Sequence, residues 1–182
     1  MLKAKQRLRA TTTEVNTDGE GRLKRIIRWG GEFLLLALVV VGIMFWQERN
    51  LLASESASPN FQLPSLTTNV PEPLYQPGER TLVYFFAPWC SICRVSMGNL
   101  NTLDGDYQVK AVALSYQSVD EVAEFIEDLD VTAPVLLGHD DVMRRFNISA
   151  FPTYYVIDEQ GLIASKSMGY SSEIGLKLRA GG

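Results

Sequence analysis

The residues best suited to chemistry are Cys90 and Cys93, the only two cysteines of the 182-residue chain, in FFAPWCSICR at 85–94. Two thiols two residues apart admit three uses. As a structural disulfide they close a very short loop, which removes little entropy from the unfolded chain and makes a poor staple. As a metal site they supply two thiolates where zinc takes four ligands. His139 is the only histidine and no second cysteine pair exists, so zinc needs recruited carboxylates, whereas copper is the better metal candidate for two thiolates. As a redox couple they exchange electrons with disulfides of other proteins.

Placement favours the third use. TLVYFFA, residues 81–87, is a continuous β-prone run, the pattern of a strand buried on both faces. The residues from Ser91 to Leu103 read as a helix, with Ile92, Val95, Leu100 and Leu103 among its apolar positions, ending in the turn Asp104-Gly105-Asp106. A pair between strand and helix puts the first sulfur at the helix N-terminus, where free N–H groups and the helix dipole stabilise a thiolate. The thiolate is the attacking species, and a second cysteine one turn later can resolve the mixed disulfide.

The elements around the pair alternate. VKAVALS (109–115) is a second buried strand, Ser118-Val119-Asp120-Glu121 fits a capping box opening the helical run VAEFIEDL, PVLLG is a short strand and DDVMRRFNI a short helix. TYYVID and LIASKS flank Glu159-Gln160-Gly161 as a hairpin, and Ser171-Ser172 opens a last helix, EIGLKLRA. This order predicts an α/β domain with a parallel core and an antiparallel edge. Ala150-Phe151-Pro152-Thr153 stands at the mouth of TYYVID, where a cis proline would present backbone to an extended peptide beside the cysteines, and a trans proline would merely start a strand.

The rest of the chain divides by charge. Hydrophobic content of 46% and charged content of 21% are ordinary for a globular protein, and no internal repeat is visible. Residues 1–28 carry eight Lys/Arg against three acids, and the remainder nine bases against eighteen acids, so the net −4 joins a +5 tail to a −9 body. Between them FLLLALVVVGIMFW, residues 33–46, has no charge and Trp29 and Trp46 bracket it. The helix over 29–48, about 25 Å from Trp29 to Trp46 plus flanking turns, is expected to be a single transmembrane anchor. The basic flank keeps the N-terminus cytoplasmic and exports the body, and Leu51-Leu52-Ala53 offers the competing reading of a cleaved signal peptide. Residues 1–28 are expected to be a flexible cytoplasmic tail, without the interleaved aromatics of a nucleic-acid binder, 49–60 a Ser/Ala-rich tether, and 61–182 the folded domain, entered through the extended NVPEPLYQPGER.

The strand–WCxxC–helix unit, Phe-Pro-Thr before the next strand, the hairpin YYVIDEQGLI and Gly169 before the last helix together resemble a thioredoxin-fold protein. With the anchor, the chain is most similar to membrane-anchored thiol:disulfide interchange proteins of the TlpA/DsbE type, over about residues 60 to 180. The resemblance implies a central mixed sheet flanked by helices, Cys90 as exposed nucleophile, Cys93 as buried resolving thiol, Trp89 as packing and recognition residue, and Phe151 with cis Pro152 as substrate contacts. It implies no cofactor or metal beyond the Cys90–Cys93 pair. It implies exported protein substrates carrying cysteines, a membrane-embedded redox partner of the Dsb type, and a periplasmic catalytic domain on the bacterial inner membrane. The anchor and the lack of a large helical insertion favour the reducing direction, and a copper-binding module using the same thiols is the alternative. The chain departs from the pattern at Tyr84 and Ser96, where related proteins carry proton-shuttling acids, and near VTAPVLLG, which lacks the acidic motif of the cytochrome-maturation branch. His139 suits a solvated or capping position, EFIEDLD a solvated helix face, and of Tyr154 and Tyr155 at most one can face the cysteines.

Overall fold

A computed structural model describes residues 18–103 and 107–181. The described residues fall into two units, one ending at Met44 and the other starting at Phe45. The first is built on helix α1 (Asp18–Glu48), whose last residues enter the second unit. The helix therefore starts ten residues before the expected end of the basic tail. Extending a helix already nucleated in the apolar run costs little per residue. The first seventeen residues of that tail lie outside the described residues. Phe33, Leu34, Leu35, Leu36, Leu38 and Val39 through Val41 are exposed on every side of α1. Among the described residues no helix is long and apolar enough to cross a membrane.

The second unit is a five-stranded sheet in the order β5-β4-β3-β6-β7, with β3 Thr81–Phe86, β4 Gln108–Ala113, β5 Val135–Leu137, β6 Thr153–Ile157 and β7 Ile163–Met168. The first three of these pair in parallel and the last two are antiparallel, as the sequence predicts. All six residues of β3 are buried, because helices or loops cover both faces. Alternation divides the core into two layers. Leu82, Tyr84, Phe86, Ala111, Ala113, Tyr154 and Val156 pack with Cys90, Cys93 and Met97, with Val122 and Phe125 of α3 (Val119–Asp128) and with Leu176 of α5 (Glu173–Ala180). Val83, Phe85, Val112, Leu136, Tyr155 and Ile157 face the other way, onto Val142 and Phe146 beside α4 (Asp140–Arg145) and onto Leu51, Leu63 and Leu74.

Three expectations need correction. The helix expected over 91–103 is α2 (Ser91–Ser96) followed by a 3-10 helix (Met97–Thr102), and the Ser96 hydroxyl bonds back to the Ile92 carbonyl at 2.9 Å where the helix bends from one form into the other. The turn at 104–106 lies outside the described residues. Ser118 caps α3 as expected by accepting from the Glu121 N–H at 3.2 Å, but the Glu121 carboxylate reaches back to the Gln117 N–H at 2.7 Å rather than to that of Ser118.

The third correction concerns 49–60, which is docked instead of loose. The Glu55 and Ser58 N–H groups bond to the Ile163 and Gly161 carbonyls, and the Ile163 N–H to the Ser56 carbonyl, so this strap lines the β7 edge. Lys166 Nζ donates to the Leu52 carbonyl at 2.7 Å and the Ser167 hydroxyl to Glu48 at 3.1 Å. Leu51 is buried in the core. On the opposite edge, the hairpin of β1 (Gln62–Pro64) and β2 (Pro71–Pro73) lies against β5 through the Ser65–Leu136 bridge. Both edges are thus covered, which removes unpaired templates for aggregation.

Candidate functional site

The site is assembled where β3 gives way to α2. After Phe86, the Ala87-Pro88-Trp89 turn closes with the Cys90 N–H on the Ala87 carbonyl at 3.0 Å, which places Cys90 as the N-cap of α2. Cys90 and Cys93 are joined as a disulfide, with Cα atoms 5.2 Å apart. The Cys93 N–H donates to Cys90 Sγ at 3.1 Å, so a first-turn amide of the helix is aimed at the sulfur that would carry charge on reduction. Cys90 retains 7% of its surface and Cys93 none. Cys90, expected to be exposed, is thus itself buried, and differs from Cys93 only in keeping a small part of its surface.

Apolar side chains flank the cysteine pair. Trp89 is 61% exposed and its indole N–H donates to the Ser115 carbonyl at 2.8 Å, while its ring meets the half-buried Phe151 edge to face at 5.8 Å. Ser115 sits at φ 54, a left-handed conformation at the end of β4. Ile92 is half exposed on the outer side of α2.

The peptide bond between Phe151 and Pro152 is cis, and Pro152 is buried. The Pro152 carbonyl accepts from the Gly169 N–H at 2.8 Å, and the Thr153 hydroxyl donates to the Ala150 carbonyl at 2.8 Å, so the turn is held from both sides. Gly169 has φ 89, which suits glycine, and the exposed Tyr170 follows it. The structure therefore brings the Trp89–Phe151 pair beside the turn that holds Pro152.

Beneath Cys93 the polar groups are hydroxyls. Tyr84 and Ser96, both buried, lie with their oxygens 2.6 Å apart. Burial raises the Tyr84 phenol well above its ordinary value, partly offset by the bond to Ser96. The Tyr84 ring stacks parallel to that of Tyr154, centroids 6.2 Å apart, and the Arg179 guanidinium lies over the far ring at 5.8 Å. Tyr154 faces the cysteine layer and Tyr155 the opposite one, in agreement with the alternation expected. His139 is exposed at the N-cap of α4 without a capping hydrogen bond, its ring edge-on to Phe61 at 5.8 Å. With Ser115, Tyr116, Gly138, Asp140, Asp141 and Arg144 it lines an open cleft of about 550 Å³. Among the described residues no group of three or more His, Cys, Asp or Glu side chains could hold a metal ion.

Sequence reasoning missed Ser115, whose contribution is a carbonyl turned toward Trp89 across 26 positions; neither residue type advertises such a bond. Tyr84 and Ser96 entered only as departures from a pattern. Their spacing of twelve carries no periodic signal, and only the strand–helix packing makes them neighbours.

A central mixed sheet with a disulfide-bonded CxxC pair capping the helix after its middle strand defines the class: a thioredoxin-fold thiol–disulfide oxidoreductase. The chain belongs to the AhpC/TSA family, whose model matches residues 55–166. It is 26% identical over 148 residues to the "Thioredoxin-like protein YneN" of Bacillus subtilis, covering 74% of this chain and 87% of that one. It is 28% identical over 163 residues to the "Thiol-disulfide oxidoreductase ResA" of Oceanobacillus iheyensis, covering 82% and 84% respectively. Among solved structures, StoA from Bacillus subtilis superposes with a TM-score of 0.60 at 21% identity, over 66% of this chain and 96% of that one.

Proposed function

We propose that this chain is a membrane-anchored enzyme of the periplasm that reduces disulfides in exported proteins. Cys90, in its thiolate form, attacks a substrate disulfide and forms a mixed disulfide, releasing one substrate thiolate. Cys93 then attacks the Cys90 sulfur, closes the Cys90–Cys93 bond and releases the second substrate sulfur. Two electrons pass to the substrate, and a membrane-embedded dithiol donor of the Dsb type restores the pair.

The observation that carries the reading is the disulfide-bonded pair at the start of α2, with the Cys93 amide aimed at the Cys90 sulfur and only Cys90 keeping any surface. Trp89, Phe151 and Pro152 form the surface a substrate strand meets. The aromatic rings supply apolar contact, and the Phe151 backbone before the cis bond supplies hydrogen-bonding groups to an extended segment. The anchor rests on the sequence, where the charge-free run 33–46 between Trp29 and Trp46 follows a basic segment.

The test has three arms. Cys93→Ala in cells is expected to trap exported proteins as mixed disulfides that dithiothreitol releases, whereas Cys90→Ala traps none; if neither variant traps a partner, thiol exchange with proteins is refuted. A reduction potential of the pair near −270 mV supports reduction, and one near −120 mV supports oxidation. Stoichiometric copper(I) binding without reduction of a model disulfide would replace the reading altogether. For topology, single cysteines at Thr12 and Ser54 in a chain lacking Cys90 and Cys93 are treated with an impermeant maleimide on intact spheroplasts. Labelling at position 54 alone is expected, and labelling at 12 overturns the orientation.

A further inference from the structure

We propose that Tyr84 and Ser96 are positioning residues for Cys93, a neutral hydroxyl pair that holds the first turn of α2 against β3 so that the buried sulfur stays within reach of Cys90. The inference rests on the exchange reaction proposed above and assigns residues to its second step. Ser96 lies one turn beyond Cys93, and its hydroxyl donates to the Ile92 carbonyl at 2.9 Å while standing 3.5 Å from the Cys93 carbonyl. It thus holds the peptide group before Cys93 and stands beside the one after it. Its single proton is committed to Ile92, so Tyr84 must donate its own hydroxyl proton to Ser96 Oγ across the 2.6 Å contact. The result is one chain of bonds, from β3 through two side chains into the helix backbone beside Cys93.

What holds Tyr84 is equally well determined. Its ring is clamped parallel to Tyr154, and Arg179, which bonds to the Ser171 hydroxyl at 2.8 Å, covers the Tyr154 ring. Asn99 of the 3-10 helix donates to the Ser171 carbonyl at 3.0 Å, so the segment after Ser96 is fastened to the same assembly. The buried polar side chains of the described residues are Ser and Thr hydroxyls, with tyrosine phenols beside them, and include no carboxylate, lysine or histidine. Among the described residues, no buried charged side chain is thus available to orient Cys93.

The two steps of exchange make different demands on this arrangement. The first needs only Cys90, which the Ala87–Trp89 turn positions. The second needs Cys93 to reach a Cys90 sulfur already bonded to substrate. There the Cys93 thiol loses its proton, the Cys90–Cys93 bond forms, the Cys90–substrate bond breaks, and the electron pair leaves on the substrate sulfur, which takes up a proton. A loosened first turn lowers the share of time Cys93 spends in attacking position, and slows this step alone.

The experiment measures the two steps separately on the full-length reduced protein in detergent, using a small aryl disulfide for the first. The second is followed as release of thiol from a mixed disulfide preformed on Cys90. Tyr84→Phe and Ser96→Ala are each expected to slow release about fivefold, the scale of one net buried hydrogen bond, with the first step unchanged. Ser96→Thr, which keeps a hydroxyl, is expected to restore most of the rate. If both deletions leave release within twofold of the parent, or slow both steps equally, the assignment is overturned. Should Tyr84→Phe fail to fold, the Ser96→Ala and Ser96→Thr pair decides alone. A reduced parent protein that forms no mixed disulfide at all refutes the exchange reading itself, an outcome distinct from normal attack followed by unaltered release.

Discussion

Replacing Tyr155 by Phe is expected to unclip the strap while leaving the cysteines untouched. The Tyr155 hydroxyl donates to the Phe146 carbonyl at 2.7 Å and accepts from the Leu52 N–H at 3.1 Å, joining the end of α4 to the start of the strap. Removing it leaves the Phe146 carbonyl without that donor in a buried layer, at about 1–3 kcal/mol, while the Leu52 amide, at a half-buried position, can turn to water for less. The ring itself keeps its packing against Phe85 and Phe146. A total near 2 kcal/mol, at roughly 4 °C per kcal/mol for a domain of this size, lowers Tm by about 8 °C. Amide exchange should accelerate over 51–58, where the strap bonds the β7 edge. Turnover of a small disulfide should not change, because Tyr155 faces away from the cysteine layer. The reasoning is refuted if exchange over 51–58 is unaltered, or if turnover falls severalfold while Tm holds.

The remaining expectations test other parts of the molecule. Burial pushes the Tyr155 phenol up to about 12 from the ordinary 10, and that of Tyr84 up as well. The folded state therefore holds these protons more tightly than the unfolded chain. Their stabilisation is complete below pH 10 and is lost as pH rises toward 12, by about 2–3 kcal/mol for Tyr155; denaturant titrations at pH 9 and 11.5 should show the loss, and Tyr155→Phe should shrink it. Gly138→Ala places a Cβ 2.7 Å from Leu114 Cδ2, 2.8 Å from Val112 Cγ1 and 3.0 Å from the Ala113 carbonyl, so urea unfolding should register a loss of about 1–3 kcal/mol. Trp89→Ala, at an exposed position, should cost under about 1 kcal/mol of stability. It should reduce kcat/KM for protein disulfides about tenfold, as loss of a central aromatic contact does.

How much of this was legible depended on whether the signal was local. Strands β3, β5 and β6 announced themselves as apolar runs because burial throughout demands them, β7 was readable from the turn residues before it, and Cys90 was readable because strand, turn and helix start are contiguous in sequence. The break at Ser96 was harder, since a serine inside a helical pattern reveals its back-bond to Ile92 only when the rotamer is known. The strap escaped for a different reason. Its Ser/Ala-rich residues dock through main-chain bonds to β7, which any side chain could make, and the long-range partners Tyr155, Lys166 and Ser167 have no periodic relation to it.

The two faces of the sheet also divide the labour, and this is why the perturbations above can be told apart. Successive residues of β6 illustrate it: Tyr154 joins the layer of Cys93, Tyr84 and Arg179, and Tyr155 joins that of Phe146 and the strap. A change at 155 acts on what fastens residues 49–58, and one at 84 or 96 acts on the turn that carries Cys93. A one-residue slip of β6 against β3, whose register pairs Tyr84 with Tyr154 and Val83 with Tyr155, would exchange these surroundings and disable both at once. Strand register therefore does more here than complete a core. It determines that one tyrosine hydroxyl serves the reactive layer and its neighbour serves the strap.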